Sequence, residues 1–251
     1  MLLCSVLPAA LAGTPATAAT WNEEFAGPAG APPDSRRWHH DVGAGGWGNA
    51  ELQRYTARTS NARLNGRGQL EIVARQNGDR FTSARLTTRG RFDFRYGTVS
   101  MRARLPAGRG LWPAFWMLGS GFPSTAWPDC GEIDVMENLG SNTRRAYGTV
   151  HGPGSLAEEG VGGSTLSPTS LSRGYHVFSA AWSAREVAFF LDGVRYATVE
   201  RATYPAGQEW ALDHPMFLLL NLAVGGQWPG RPTRRTAFPA RFRVDWVRVD
   251  Y

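Results

Sequence analysis

Apolar and polar residues alternate with a period of two along much of this 251-residue chain, and runs with helical spacing are nearly absent. Val99, Met101, Ala103 and Leu105 share one face while Ser100, Arg102 and Arg104 share the other, which predicts a half-buried strand. Glu186–Leu191 and Val194–Val199 flank Asp192-Gly193, a dipeptide suited to the type I′ turn of a hairpin. Phe217–Leu222 is apolar on both faces and predicts a central strand. The last run alternates through Phe242, Val244 and Trp246, then continues at Val247 and Val249, so a bulge or twist is expected near Trp246. Such short runs, bounded by Gly, Pro and Asn and free of long repeats, predict one all-β sandwich.

One strand-like stretch departs from this economy. Within Asp129-Cys-Gly-Glu-Ile-Asp-Val-Met-Glu-Asn-Leu139, three carboxylates after the opening Asp129, namely Glu132, Asp134 and Glu137, are packed into apolar sequence. In a regular strand Glu132 and Asp134 share a face and Glu137 points away; one extra residue at Val135-Met136 brings Glu137 back to that face. The bulged span then acts as a four-residue step, roughly 13 Å between Cα atoms, and inward-leaning side chains bring the carboxyls toward the ~5–5.5 Å of a retaining glycoside hydrolase. An amphipathic strand with a wet acidic face is the plainer reading. Against it, three like charges repel and the segment offers no basic partner, whereas enzymes use such crowding to separate pKa values.

The first twenty residues carry no charged side chain and read as a secretory signal segment: Leu2–Leu11 is too short to span a membrane, and Ala16-Thr-Ala-Ala19 suits cleavage, although a positive start is missing. The expected division is a signal peptide at 1–19 and a catalytic domain at 20–251. Cys4 falls in the signal segment, which leaves Cys130 alone in the mature chain, without a disulfide partner and with no neighbouring base to make it a nucleophile. All 27 basic residues are arginine, and the net charge of +6 is scattered without the stripe that nucleic-acid binders show. Several of the ten tryptophans sit beside Gly or Pro, among them Trp47, Trp112 and Trp228, and such loop-borne rings suit stacking on sugar C–H faces. Trp38, Trp182 and Trp246 are assigned to the core.

These residues resemble glycoside hydrolase family 16, in particular its laminarinase-type endo-β-1,3-glucanases. The resemblance runs through Trp21-Asn-Glu-Glu-Phe25, Trp47-Gly-Asn-Ala-Glu-Leu-Gln-Arg-Tyr55, Phe81-Thr-Ser-Ala-Arg85, Leu111-Trp-Pro-Ala-Phe-Trp-Met-Leu118, Gly131-Glu-Ile-Asp-Val-Met-Glu-Asn138, His151-Gly152, Asn221-Leu-Ala-Val-Gly-Gly-Gln-Trp-Pro229 and Val244-Asp-Trp-Val-Arg-Val-Asp-Tyr251. Glu23 and Gln227 depart from the family, which usually has Asp and often has Asn at those positions. The resemblance implies a β-jelly-roll of two curved antiparallel sheets with a concave substrate cleft. It implies Glu132 as nucleophile, kept ionised by hydrogen-bond donors, Glu137 as acid and base with a raised pKa, and Asp134 as the residue that holds Glu132. Trp112, Trp116 and Trp228 match aromatic subsite positions, and Asn49, Arg85 and His151 match polar ones. His151 also reads as an ordinary strand residue, and Arg85 as a surface charge or as a donor beside the carboxylates.

The resemblance further implies no cofactor for catalysis and a structural calcium held by backbone oxygens of Glu24 and Gly68 and by Asp245; an unliganded strand carboxylate is the other reading of Asp245. The expected protein is a secreted, extracellular monomer whose partner is β-glucan, with no nucleic acid and no membrane. It is expected to be a retaining endo-β-1,3-glucanase. The alternatives are a mixed-linkage β-1,3-1,4-glucanase, an agarase-like specificity, or a non-catalytic glucan-recognition protein; the last is disfavoured because all three carboxylates are present, and the bulged spacing counts against a lichenase.

Overall fold

The computed structural model describes residues 19–154, 157 and 159–251. Apart from Ala19, the expected signal segment lies outside the described residues. The strands run in order as β1 (Thr20–Glu23), β2 (His39–Asp41), β3 (Gln53–Tyr55), β4 (Ala62–Leu64), β5 (Leu70–Asn77), β6 (Arg80–Ser83), β7 (Arg85–Thr87), β8 (Gly97–Arg104) and β9 (Leu111–Gly119). They continue as β10 (Glu132–Glu137), β11 (Arg145–His151), β12 (Val161–Leu166), β13 (His176–Trp182), β14 (Glu186–Leu191), β15 (Val194–Glu200), β16 (Met216–Val224) and β17 (Ala240–Asp250).

Two sheets result. A ten-stranded sheet follows the path β15-β14-β13-β8-β17-β5-β6-β3, with β1 beside β17 and β4 beside β5; a seven-stranded sheet follows β12-β11-β10-β9-β16-β7-β2. Pairing is antiparallel except between β3 and β6. No helix among the described residues is long and apolar enough to cross a membrane.

Alternation decides what each sheet buries. Val99, Met101 and Ala103 of β8 meet Phe178 and Ala180 of β13 and Phe242 and Val244 of β17 in one core, which the seven-stranded sheet closes with Phe115, Met117, Ile133, Leu218, Leu220 and Leu222. The β14–β15 hairpin turns at Asp192 and Gly193, with φ of 49° and 80°, as type I′ geometry requires. β16 is apolar on both faces because Leu218, Leu220 and Leu222 enter the main core while Phe217 and Leu219 form a second cluster with Leu118 and Cys130 on the other face. Cys130 is fully buried, and burial together with the charge of Glu132 pushes its thiol up to about 11, which leaves it unreactive.

The register of β17 slips between Val244 and Trp246, so the expected bulge sits at Asp245. It also overturns one core assignment. Trp246 pairs with Arg102 instead of a core-facing residue, is half-buried, and lies under the Arg248 guanidinium, 4.4 Å from the ring centroid. Trp38 and Trp182 are core residues, as expected.

Candidate active site

The outer face of the seven-stranded sheet carries the carboxylates. Glu132 pairs with Leu118 of β9 and His151 of β11, and Glu137 pairs with Ala114 and Tyr147. Five steps on β10 thus match four on each neighbour, and the register shift falls after Asp134, at Val135 and Met136. Both bulge residues turn their side chains into the main core, and Glu137 returns to the face of Glu132 and Asp134. Entry into β10 depends on Gly131, at φ +66°, where a Cβ would come within 1.9 Å of the Ala211 carbonyl oxygen.

Burial and crowding set the protonation of the cluster. Glu137 is pushed up to about 8, first by burial and then by the charge of Asp134, while an indole hydrogen bond from Trp112 Nε1 to Oε1, at 2.9 Å, works the other way. Glu132 is also pushed well above the usual carboxylate range, by burial, by Asp134 and by Glu137, with His151 opposing. The resemblance implies hydrogen-bond donors that keep Glu132 ionised; its side-chain hydrogen-bond partner here is another acid, Asp134, which works toward the protonated form.

The basic partner missing from the segment comes from the next strand. His151 Nε2 lies 3.3 Å from Asp134 Oδ2, and Nδ1 lies 2.9 Å from the Ala157 carbonyl oxygen. A carbonyl only accepts, so Nδ1 carries hydrogen; a bare Nε2 lone pair against a carboxylate oxygen would repel, so a second proton is shared at that contact. Burial lowers the imidazole, but Asp134, Glu132 and Glu137 outweigh it and raise it to about 10.

Aromatic side chains wall this acidic centre. Trp112 meets Trp228 edge-on at 5.5 Å, Tyr147 meets Trp228 at 4.9 Å, and Trp127 lies 6.4 Å from His151. Trp127 and Trp228 are the more open, 42% and 43% exposed. Trp112 was read as loop-borne; it lies within β9, beside Pro113, whose carbonyl accepts from Asn138 N–H. Trp116 Nε1 donates to Asn221 Oδ1 at 2.7 Å, Asn221 Nδ2 donates to the Tyr55 hydroxyl at 3.1 Å, and that hydroxyl donates to Glu51 at 3.2 Å. Glu51, a further carboxyl that burial raises, escaped the sequence reading, as did Tyr147 and Trp127.

Arg85 does not serve the three carboxylates. Its Nε pairs with Asp41 at 3.1 Å, and its guanidinium packs 5.0 Å from the Trp47 ring and 4.7 Å from the Trp116 ring, so it anchors two aromatic walls. Asn49 joins two loops: its backbone oxygen accepts from Gln227 N–H at 2.8 Å, which places Trp228 next in the chain beside the cleft.

The calcium set falls on the other sheet. The Glu24 carbonyl oxygen faces Gly68, 3.6 Å from where a Cβ would stand, and the adjoining Gln69 donates to Asp245 Oδ1 at 3.1 Å. Asp245 Oδ2 is paired with Arg102. The donors suit an oxygen-seeking cation in kind, with Oδ1 held by a neutral amide that a cation can displace.

Comparison with known proteins agrees with this geometry. Glycosyl hydrolases family 16 matches residues 50–248. A β-glucanase of Rhodothermus marinus is 44% identical over 242 residues, 91% of this chain and 83% of that protein. The laminarinase catalytic domain of Thermotoga maritima MSB8 superimposes with a TM-score of 0.84 at 41% identity, covering 91% of this chain and 96% of that one. The endo-β-1,3-glucanase of Pyrococcus furiosus gives 0.85 at 40%, covering 91% and 92%. With its three carboxylates on one sheet face and this likeness over nearly the full described length, the chain belongs to glycosyl hydrolases family 16, as a glucan-hydrolysing enzyme of the laminarinase type.

Proposed function

We propose that the chain is a secreted, monomeric, retaining endo-β-1,3-glucanase. The observation that carries the reading is the pairing of Glu132 with Glu137 across a four-residue step on one face, the second held near pKa 8 by burial. Glu137 then enters the reaction as an acid and gives its proton to the leaving glycosidic oxygen while Glu132 attacks the anomeric carbon, forming a glycosyl ester. Water attacks the same carbon in the second half, losing a proton to Glu137 as the bond to Glu132 breaks. Attack requires an ionised Glu132, and the charge on His151 is what opposes burial and Asp134 there. Asp134 holds both neighbours in register. Trp112, Trp116 and Trp228 stack on sugar faces, and Asn49, Arg85 and His151 line or support the polar side.

No cofactor enters these steps. A calcium ion held by Glu24, Gly68 and Asp245 would tie the N-terminal strand to the last one and act on stability alone. Export predicts that the extracellular protein begins just after Ala19, readable by N-terminal sequencing; a retained leader would refute it. The functional test is sugar release from laminarin, barley mixed-linkage glucan, lichenan and agarose in parallel, with products sized. Oligosaccharides foremost from laminarin support the reading. Preference for another polymer moves the substrate, and inactivity with retained glucan binding makes the chain a recognition protein.

A further inference from the structure

A groove of about 810 Å³ lies at the β3 end of the ten-stranded sheet, across β3, β6 and β5, and its lining includes none of the three carboxylates. Arg54, Arg58, Arg75 and Arg80 line it, against one carboxylate, Asp79. Arg54 pairs with Thr82, and Thr82 pairs with Arg75, so two guanidinium groups issue from one rung, two strand spacings or roughly 10 Å apart at the backbone. Arg80 precedes Thr82 by two residues and shares its face, and Arg58 follows β3. Among the described residues Arg54, Arg58 and Arg80 enter no ion pair, and Arg75 gives its Nε to the Ser60 carbonyl at 2.8 Å. On the same sheet Arg63, Arg241 and Arg243 instead converge on Glu71, within 2.9 to 3.7 Å. The groove therefore concentrates positive charge that the fold leaves uncompensated.

We infer that this groove binds an anionic polysaccharide, one bearing carboxylate or sulfate groups. Guanidinium forks suit both oxyanions, and Leu52 and Phe81 add a small apolar floor for a sugar ring. The choice of a glycan over another polyanion rests on the glucan reading of the cleft: Ala44 and Leu52 of the groove belong to the segment that carries Trp47, Asn49 and Glu51 to the active site. A site there would hold the enzyme on acidic wall polymers while the cleft works on neutral glucan.

The test measures binding of the full chain to dextran sulfate, an α-linked polyanion foreign to a β-glucan cleft, with neutral dextran as control. Wild type binds the sulfated polymer at low salt and releases it as salt rises. The triple variant Arg54→Gln, Arg58→Gln, Arg80→Gln weakens binding about tenfold or more, as the loss of three exposed ion pairs implies, and hydrolyses neutral laminarin at the wild-type rate. The matching triple Lys variant keeps most of the binding. Undiminished binding in the Gln variant overturns the groove, and tighter capture of a single-stranded oligonucleotide through the same arginines overturns the glycan assignment. Failure of wild type to hydrolyse laminarin overturns the cleft reading instead.

Discussion

Trp112→Phe isolates the bond that tunes the proposed acid. The indole N–H of Trp112 donates to Glu137 Oε1 at 2.9 Å and favours the ionised carboxylate, against burial and Asp134, which favour the acid. Phenylalanine keeps an aromatic face for the sugar and removes the donor. A hydrogen bond to a charged group contributes about 1.5–3 kcal/mol, and 1.36 kcal/mol corresponds to one pH unit, so the loss moves Glu137 upward by about one to two pH units. Glu137 acts as the acid below its pKa of about 8. The alkaline limb of kcat/KM on laminarin therefore moves to higher pH in the variant, even where weaker stacking lowers the plateau. Trp228→Phe is the control, because Trp228 touches the Trp112 ring without bonding Glu137, and it leaves the limb in place. A Trp112→Phe limb that stays put or moves to lower pH would refute the assignment.

Raised carboxyl pKa values also carry a stability signature. Glu137 is protonated in the fold up to about 8 but only to 4.5 as a free carboxyl, so folding takes up a proton between those values and stability falls as pH rises through them. Glu137→Gln is accordingly more stable than wild type at pH 8 and equal to it below about pH 4.5; thermal melts that show no pH-dependent gap would contradict this. His151, raised from 6.5 to about 10, adds stability that is complete below 6.5 and lost through 10, so His151→Asn flattens the alkaline decline seen in the same melts. Asn221→Ala leaves the Trp116 indole without its acceptor and costs about 1–3 kcal/mol in denaturant unfolding, and an unchanged midpoint would remove Asn221 from the network. Chelator lowers Tm without changing initial rates at low temperature, and an unmoved Tm excludes the calcium ion.

Much of this architecture is written in local pattern. The period-two runs of β8, the Asp192-Gly193 turn, the two-faced apolar β16 and the phase slip in β17 each depend on neighbours within a few residues. The β10 bulge was legible for the same reason, since three carboxylates share a face only if one residue is inserted. Contacts that require distant strands to meet were not legible. Arg85 finds Asp41 from 44 positions away, Trp116 finds Asn221 from 105, and Tyr55 finds Asn221 from 166. Trp246 shows a subtler limit: the pattern revealed the bulge, but only pairing with β8 decides that the ring falls on the outer side of it.

The central claim is double displacement by Glu132 and Glu137 at one anomeric carbon. Proton NMR of laminarin hydrolysis, recorded before mutarotation, reads it directly. Double displacement predicts the β-anomer as first product. An initial α-anomer would mean a single inverting attack by water and would contradict it.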